Sequence, residues 1–130
     1  MADLGSRFAL HNSAPGKLLL AHLPPDQRET AMSKIQFTAS TAHTLTTRTG
    51  LREACETIVT DGYACDYAEA TEGIHGVAAP IFGAVGGVVG ALWITGPAKR
   101  LPKARFKELG PLVAEASGRI TQLIASRGSA

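Results

Sequence analysis

Residues 76 to 98 read GVAAPIFGAVGGVVGALWITGPA, 23 residues without a formal charge, and the way this run folds decides the rest of the chain. Its length would let one helix cross a bilayer. Gly86-Gly87-Val88-Val89-Gly90 supplies a GxxxG spacing suited to helix association in lipid, and Lys99, Arg100, Lys103 and Arg105 follow as a positive flank would. The composition argues the other way. Six glycines, two prolines and a single leucine are poor material for a lipid-facing helix, and the break Ala84-Val85-Gly86-Gly87 separates two β-rich pieces, GVAAPIF and VVGALWIT. Two buried strands joined by a glycine turn use those glycines. The run is therefore expected to form an antiparallel hairpin at the centre of a sheet, and no membrane partner is expected.

Working outward, Ser13 to His22 (SAPGKLLLAH) predicts a helix entered through a serine cap, with Pro15 in the first turn and Leu18, Leu19 and Leu20 committed to a core. Pro24-Pro25-Asp26 stops it and opens a second short helix that runs to about Ser33. The threonine-rich stretch from Thr38 to Thr49 reads as a surface crossing. Thr47 or Thr49 caps a third helix whose stripe is Leu51, Cys55, Ile58 and Val59, and Gly62 ends it. Tyr63 to Asp66 reads as a short strand. After Gly96-Pro97 a long helix starts near Pro102 and runs to about Ser126, with Phe106, Leu109, Leu112, Val113, Ala116, Ile120, Leu123 and Ile124 at helical spacing. Pro111 is a candidate kink in it, and Arg7 to His11 a candidate extra strand. The order predicts one α+β domain with a largely antiparallel central sheet, flanking helices and a long C-terminal helix.

Composition narrows the function. A chain of 130 residues with 13 Lys plus Arg against 11 Asp plus Glu has no basic stripe for a phosphate backbone, and seven aromatics are few for stacking on bases. The opening MADLGSRFALHN has no apolar stretch of signal-peptide length, so a cytoplasmic location is expected. Cys55 and Cys65 read as small buried hydrophobes. His11, His22, His43 and His75 show no metal-ligand spacing, and no nucleophile or phosphate-loop motif is present, so neither metal, cofactor nor catalytic residue is expected. Asp66, Glu69 and Glu72 form the one acid cluster, which reads as a solvated rim. Ser13-Ala14-Pro15-Gly16-Lys17 could receive an anion at a helix start, although a plain helix cap is the simpler reading.

Four segments carry a resemblance. His11-Asn12-Ser13-Ala14-Pro15-Gly16-Lys17 with the following LLLAHLPP resembles the HxSaxGKalLAxLp segment of IclR-family transcriptional regulators. Gly62-Tyr63-Ala64-Cys65-Asp66, then Glu69, then Val77 to Phe82, is similar to that family's GYaxDxxE stretch and the small-residue strand after it. Ala91 to Pro97 resembles its aLSvSGP strand, and Leu109 to Val113 its final-helix lGplv. The four stand in the family's order from about Gly5 to Arg127.

The resemblance implies a GAF-like or profilin-like effector-binding domain over residues 1–130, incomplete at its N-terminus and matching roughly two-thirds of the family's domain. It implies a small organic acid as effector, subunit association as a dimer or tetramer, and DNA contact only through an N-terminal winged helix-turn-helix that this chain does not carry. By position, the implied lining is Ala14, Pro15, Asp66, Ile74, Gly76, Trp93 and Thr95, with helix amides and the Thr95 hydroxyl taking a carboxylate. The chain departs from the family pattern at Gly76, where Cys, Ser or Ala is usual, at Gly83, where Asp or Asn is usual, and at Trp93, where Ser is common. Tryptophan for serine points to an effector with an apolar or aromatic body, or to a pocket that the indole itself fills. The alternative function is a ligand-independent dimerisation fragment of such a regulator.

Overall fold

A computed structural model of the chain describes residues 4–128. Helices α1 (Ala14–Ala21), α2 (Pro25–Ser33) and α3 (Arg48–Asp61) precede strands β1 (Ala64–Tyr67), β2 (Ile74–Phe82) and β3 (Val88–Pro97). A single 3-10 turn, Lys103–Arg105, then leads into α4 (Phe106–Gly128). The strands form one antiparallel sheet in the order β1-β2-β3.

The charge-free run is the β2–β3 hairpin. Gly86 turns it at φ +91°, a backbone state open to glycine, and the Gly83 amide donates to the Gly87 carbonyl at 2.8 Å. Among the described residues no helix is long and apolar enough to cross a membrane. Ser13 caps α1 by accepting from the Gly16 amide at 3.0 Å, and Thr47, the first of the two candidates, caps α3. Gly62 closes α3 at φ +86°.

Side chains alternate across the sheet and meet different helices on its two faces. The register places Ala64 and Asp66 beside Gly76 and Ala78, which lie beside Thr95 and Trp93. This face packs on α1, where Ala14, Leu18, Leu20 and Ala21 join Leu51, Cys55 and Ile58 of α3 with Ala64 and Ala78. On the other face Val77 and Ala79 pack with Phe106 and Val113 of α4.

Three expectations need correction. No strand forms at Arg7 to His11: residues 6–9 are irregular and 10–12 form a turn. The first strand is Ala64–Tyr67, one residue later than expected, because Ala64 is the first residue to pair, opposite Ala78. Leu19, Val59, Leu112 and Leu123 are exposed, so the buried stripes of α1, α3 and α4 are narrower than their apolar content suggests. Pro111 lies within α4, which continues through it.

The two edges of the sheet differ. Ala68 donates its amide to the Ile74 carbonyl at 3.0 Å, so the backbone of Ala64 and Asp66 points toward β2, whereas that of Cys65 and Tyr67 points outward. Both outward residues are met by one buried ion pair. Lys17 of α1 donates to the Cys65 carbonyl at 2.6 Å and to both Glu69 oxygens at 2.9 and 3.0 Å, and the Tyr67 amide donates to Glu69 Oε2 at 3.2 Å. The Lys17 and Glu69 side chains are 6% and 9% exposed, so neither can fall back on water.

Removing one partner of a buried pair leaves the other charge without compensation, which typically costs ~3–5 kcal/mol. Lys17→Met is therefore expected to lower unfolding free energy by about that amount. Urea titration followed by circular dichroism measures it, and a loss under ~1 kcal/mol, the value of a surface pair, would contradict the assignment.

Candidate ligand-binding site

The face of the sheet that packs on α1 carries a cavity of about 660 Å³. Asp66 of β1, Ile74 of β2, and Trp93 and Thr95 of β3 line it, each from a strand position on that face. Ser13 lines it from the start of α1, Ala70 and Thr71 from the loop after β1, and Ser6, Arg7 and Phe8 from the irregular N-terminal segment.

Four of the seven residues expected from the sequence thus share one cavity. Ala14 and Pro15 do not line it: Ala14 is fully buried in the α1 core, and Ser13 holds the position on α1. Gly76 lies beneath the indole of Trp93. A Cβ added there would come 2.8 Å from Nε1, a separation that side chains do not tolerate, so the ring occupies the space that glycine leaves. At Gly83 an added Cβ would likewise come 2.8 Å from Val89 Cγ1. Trp93 also meets Phe8 edge-on, with ring centroids 5.0 Å apart. Its Nε1 is buried and has no hydrogen-bond partner among the described residues.

The polar groups differ from expectation as well. The Gly16 amide is taken by the Ser13 hydroxyl, the Lys17 amide by the Ser13 carbonyl, and Pro15 has no amide hydrogen, so the first turn of α1 is already capped. Thr95 donates its hydroxyl hydrogen to the His75 carbonyl at 3.1 Å and has none left for a carboxylate. The cation at the cavity is Arg7, which makes no ion pair or hydrogen bond among the described residues. Sequence patterning missed it because the segment around it has no periodicity.

Asp66 and Glu69 are buried, against the solvated rim expected of the acid cluster, and only Glu72 is exposed. Burial pushes the Asp66 carboxyl above its ordinary pKa, while the Glu69 amide, which donates to Asp66 Oδ1 at 2.7 Å, pulls the other way. The loop they belong to is fixed from several sides. Thr41 and Thr44 donate their hydroxyls to the Ala68 and Glu69 carbonyls, each at 2.6 Å, so the threonine-rich stretch docks on this loop. Ala68 is held at φ +60°, an uncommon state for a residue with a Cβ, and one that tends to mark constrained functional loops.

Among the described residues no group of His, Cys, Asp and Glu could hold a metal ion. Burial raises the pKa of both cysteine thiols, which leaves them poor nucleophiles; Cys55 is fully buried and Cys65 half-buried. A second groove, of about 610 Å³, lies on the other side of β1 between α3 and the start of α4. Tyr63, Cys65, Tyr67 and Phe106 line it, with Lys103 and Lys107 beside them, and it includes none of the expected ligand residues.

Residues 1–122 match the family model for the C-terminal region of the bacterial transcriptional regulator IclR. A probable HTH-type transcriptional regulator ArcR of Halobacterium salinarum is 40% identical over 109 residues, which cover 83% of this chain and 41% of that protein. A transcriptional regulator from Rhodococcus sp. RHA1 superposes with a TM-score of 0.90 at 29% identity, over 97% of this chain and 52% of that one. The C-terminal domain of the E. coli transcriptional regulator KdgR superposes with a TM-score of 0.84 at 28% identity, over 93% of this chain and 74% of that one. The chain thus spans less than half the length of the curated relatives it matches.

The contact between Gly76 and the indole makes a coupled prediction. Gly76→Ala is expected to destabilise the wild-type chain by ~1–3 kcal/mol through overpacking, and to have little effect in a Trp93→Ser background. A double-mutant cycle by urea unfolding measures the coupling, and additive effects would show that the ring does not rest on Gly76.

Proposed function

The chain belongs to the IclR family of transcriptional regulators, as the C-terminal part of such a protein, and from that premise we propose that it senses a small organic acid. The observation that carries this reading is the cavity itself, in which residues from three separate family-like motifs converge with Arg7, a cation that makes no ion pair among the described residues. Arg7 supplies the positive charge for a carboxylate at the cavity mouth. Phe8, Ile74 and the face of Trp93 supply apolar walls for the body of the ligand, which favours an aromatic or branched aliphatic acid. Burial opposes the ionisation of Asp66, which lessens its repulsion of a nearby ligand carboxylate.

The effector would act by binding one arrangement of the regulator more tightly than another. Ser13 at the start of α1 and Ala70 and Thr71 of the loop both line the cavity, and the Lys17–Glu69 pair joins the same two elements outside it. A ligand between them would bias their separation. DNA binding would belong to a separate winged helix-turn-helix module, and this part would contribute effector binding and self-association.

Trp93, the one tryptophan, reports directly. Its fluorescence is expected to change saturably with one subclass of a panel of aliphatic and aromatic carboxylates. Arg7→Gln should weaken that binding about tenfold, the equivalent of losing ~1.4 kcal/mol. Affinity should fall as pH rises through the elevated titration of Asp66, and Asp66→Asn should remove that dependence. No response to any acid in the folded protein would favour the ligand-independent dimerisation fragment instead.

A further inference from the structure

The near-even charge count of the chain hides a local excess. Lys99, Arg100, Lys103, Arg105 and Lys107 fall within nine residues, and no acid stands between Glu72 and Glu108. The other eight cations are outnumbered by eleven acids, so the composition that argued against a phosphate partner is an average over unlike segments. All five side chains are exposed, and none makes an ion pair among the described residues. Lys103 lies over the Tyr67 ring, 4.9 Å from its centroid, and Arg105 donates to the Arg100 carbonyl at 2.9 Å, contacts that neutralise neither charge. The backbone that carries them is held in place. The Pro97 carbonyl accepts from the Arg100 and Leu101 amides, each at 2.9 Å, and the Leu101 carbonyl accepts from His75 Nδ1 at 2.7 Å. The cations also work against the fold, because they crowd the start of the 23-residue α4, the positive end of its dipole, where acids are the stabilising choice. A fixed cluster of unpaired like charges is one that an external anion relieves.

We propose that this β3–α4 connection contacts the phosphate backbone of duplex DNA, in addition to any module that reads the sequence. The stretch offers charge and little else. Leu101 is half-buried and Phe106 buried, both packed in the core on the α4 face, so no large apolar side chain is free to enter a membrane or to anchor a protein partner. Backbone phosphates need only cations, and contacts to them fix position without carrying sequence information. Duplex DNA is the polyanion because the winged helix-turn-helix module proposed above would hold it at high effective concentration beside this domain, where weak contacts count. The choice of DNA rests on that module, the contact itself does not, and the effector reading enters neither, since none of the five residues lines the effector cavity.

Anisotropy of a short labelled duplex of arbitrary sequence, titrated with the full 130-residue chain at a series of salt concentrations, tests this. Binding is expected to be weak, indifferent to sequence and salt-sensitive, with a log–log slope of about −0.9 per phosphate neutralised and so steeper than about −2.5. The triple variant Lys99→Gln, Arg100→Gln, Arg105→Gln should bind about tenfold more weakly or worse, with a slope shallower by about 2 to 3. Lys34→Gln, Arg119→Gln, Arg127→Gln, the same change in net charge at other exposed positions, should bind like the wild type. No binding at low salt, or equal weakening by the two triple variants, overturns the proposal. So does saturable binding of tripolyphosphate or of phosphatidylserine vesicles by a chain that does not bind the duplex. If either variant fails to fold by circular dichroism, acetylation of the wild type decides. Shielding of Lys99, Lys103 and Lys107 by the duplex, but not of Lys34, supports the contact, and equal shielding of all four overturns it.

Discussion

The buried pair between Lys17 and Glu69 is the constraint on which the rest of the structure depends. Its partners stand 52 residues apart, one on the first helix and one on the loop after the first strand. A lysine in a core has to find acceptors for its ammonium, and here it finds three, two carboxylate oxygens and the Cys65 carbonyl. The carboxylate in turn accepts from the Tyr67 amide. One pair thereby does three things: it fixes α1 against the sheet, meets the Cys65 carbonyl and the Tyr67 amide on the side of β1 that has no neighbouring strand among the described residues, and anchors the loop that walls the cavity.

The cavity follows from this arrangement. Docking α1 by its middle places its start, at Ser13, over the strand residues Asp66, Thr95 and Trp93. The loop opposite is held by the hydroxyls of Thr41 and Thr44 as well as by Glu69, and it accommodates Ala68 in a left-handed conformation. Local strain of that kind persists where neighbouring contacts over-determine the backbone. The indole of Trp93 uses the room over Gly76, at the expense of a buried N–H without a partner, an arrangement that typically costs ~1–3 kcal/mol. Glycine and tryptophan at these positions fit together: the small residue admits the large one, and the cavity wall there is flat and apolar.

Much of the fold was legible because its signals are local. The glycines within the uncharged run marked a hairpin, Ser13 and Thr47 marked helix starts, and Gly62 marked a helix end. The four cavity residues on strands were legible through the resemblance, and alternation along each strand then put them on one face. What could not be read depends on contacts between distant segments. Lysine and glutamate are solvated by default, so nothing local showed that Lys17 and Glu69 would pair in the interior. The threonine-rich stretch looked like a surface crossing because its hydroxyls find their acceptors on a loop more than twenty residues away. Arg7 lies in a segment with no periodicity, and only the fold brings it to the cavity beside β3. Val59, Leu112 and Leu123 had the spacing of core residues, but the width of a buried stripe is set by whatever covers the helix.

The account's central claim is that the α1 face of the sheet, with Arg7 at its mouth, holds the effector. A crystal structure of the chain soaked with benzoate tests this most directly. The account predicts density for the ring between Trp93 and Phe8 with its carboxylate toward Arg7. Benzoate bound instead in the groove between α3 and α4, beside Tyr63 and Phe106, would contradict it.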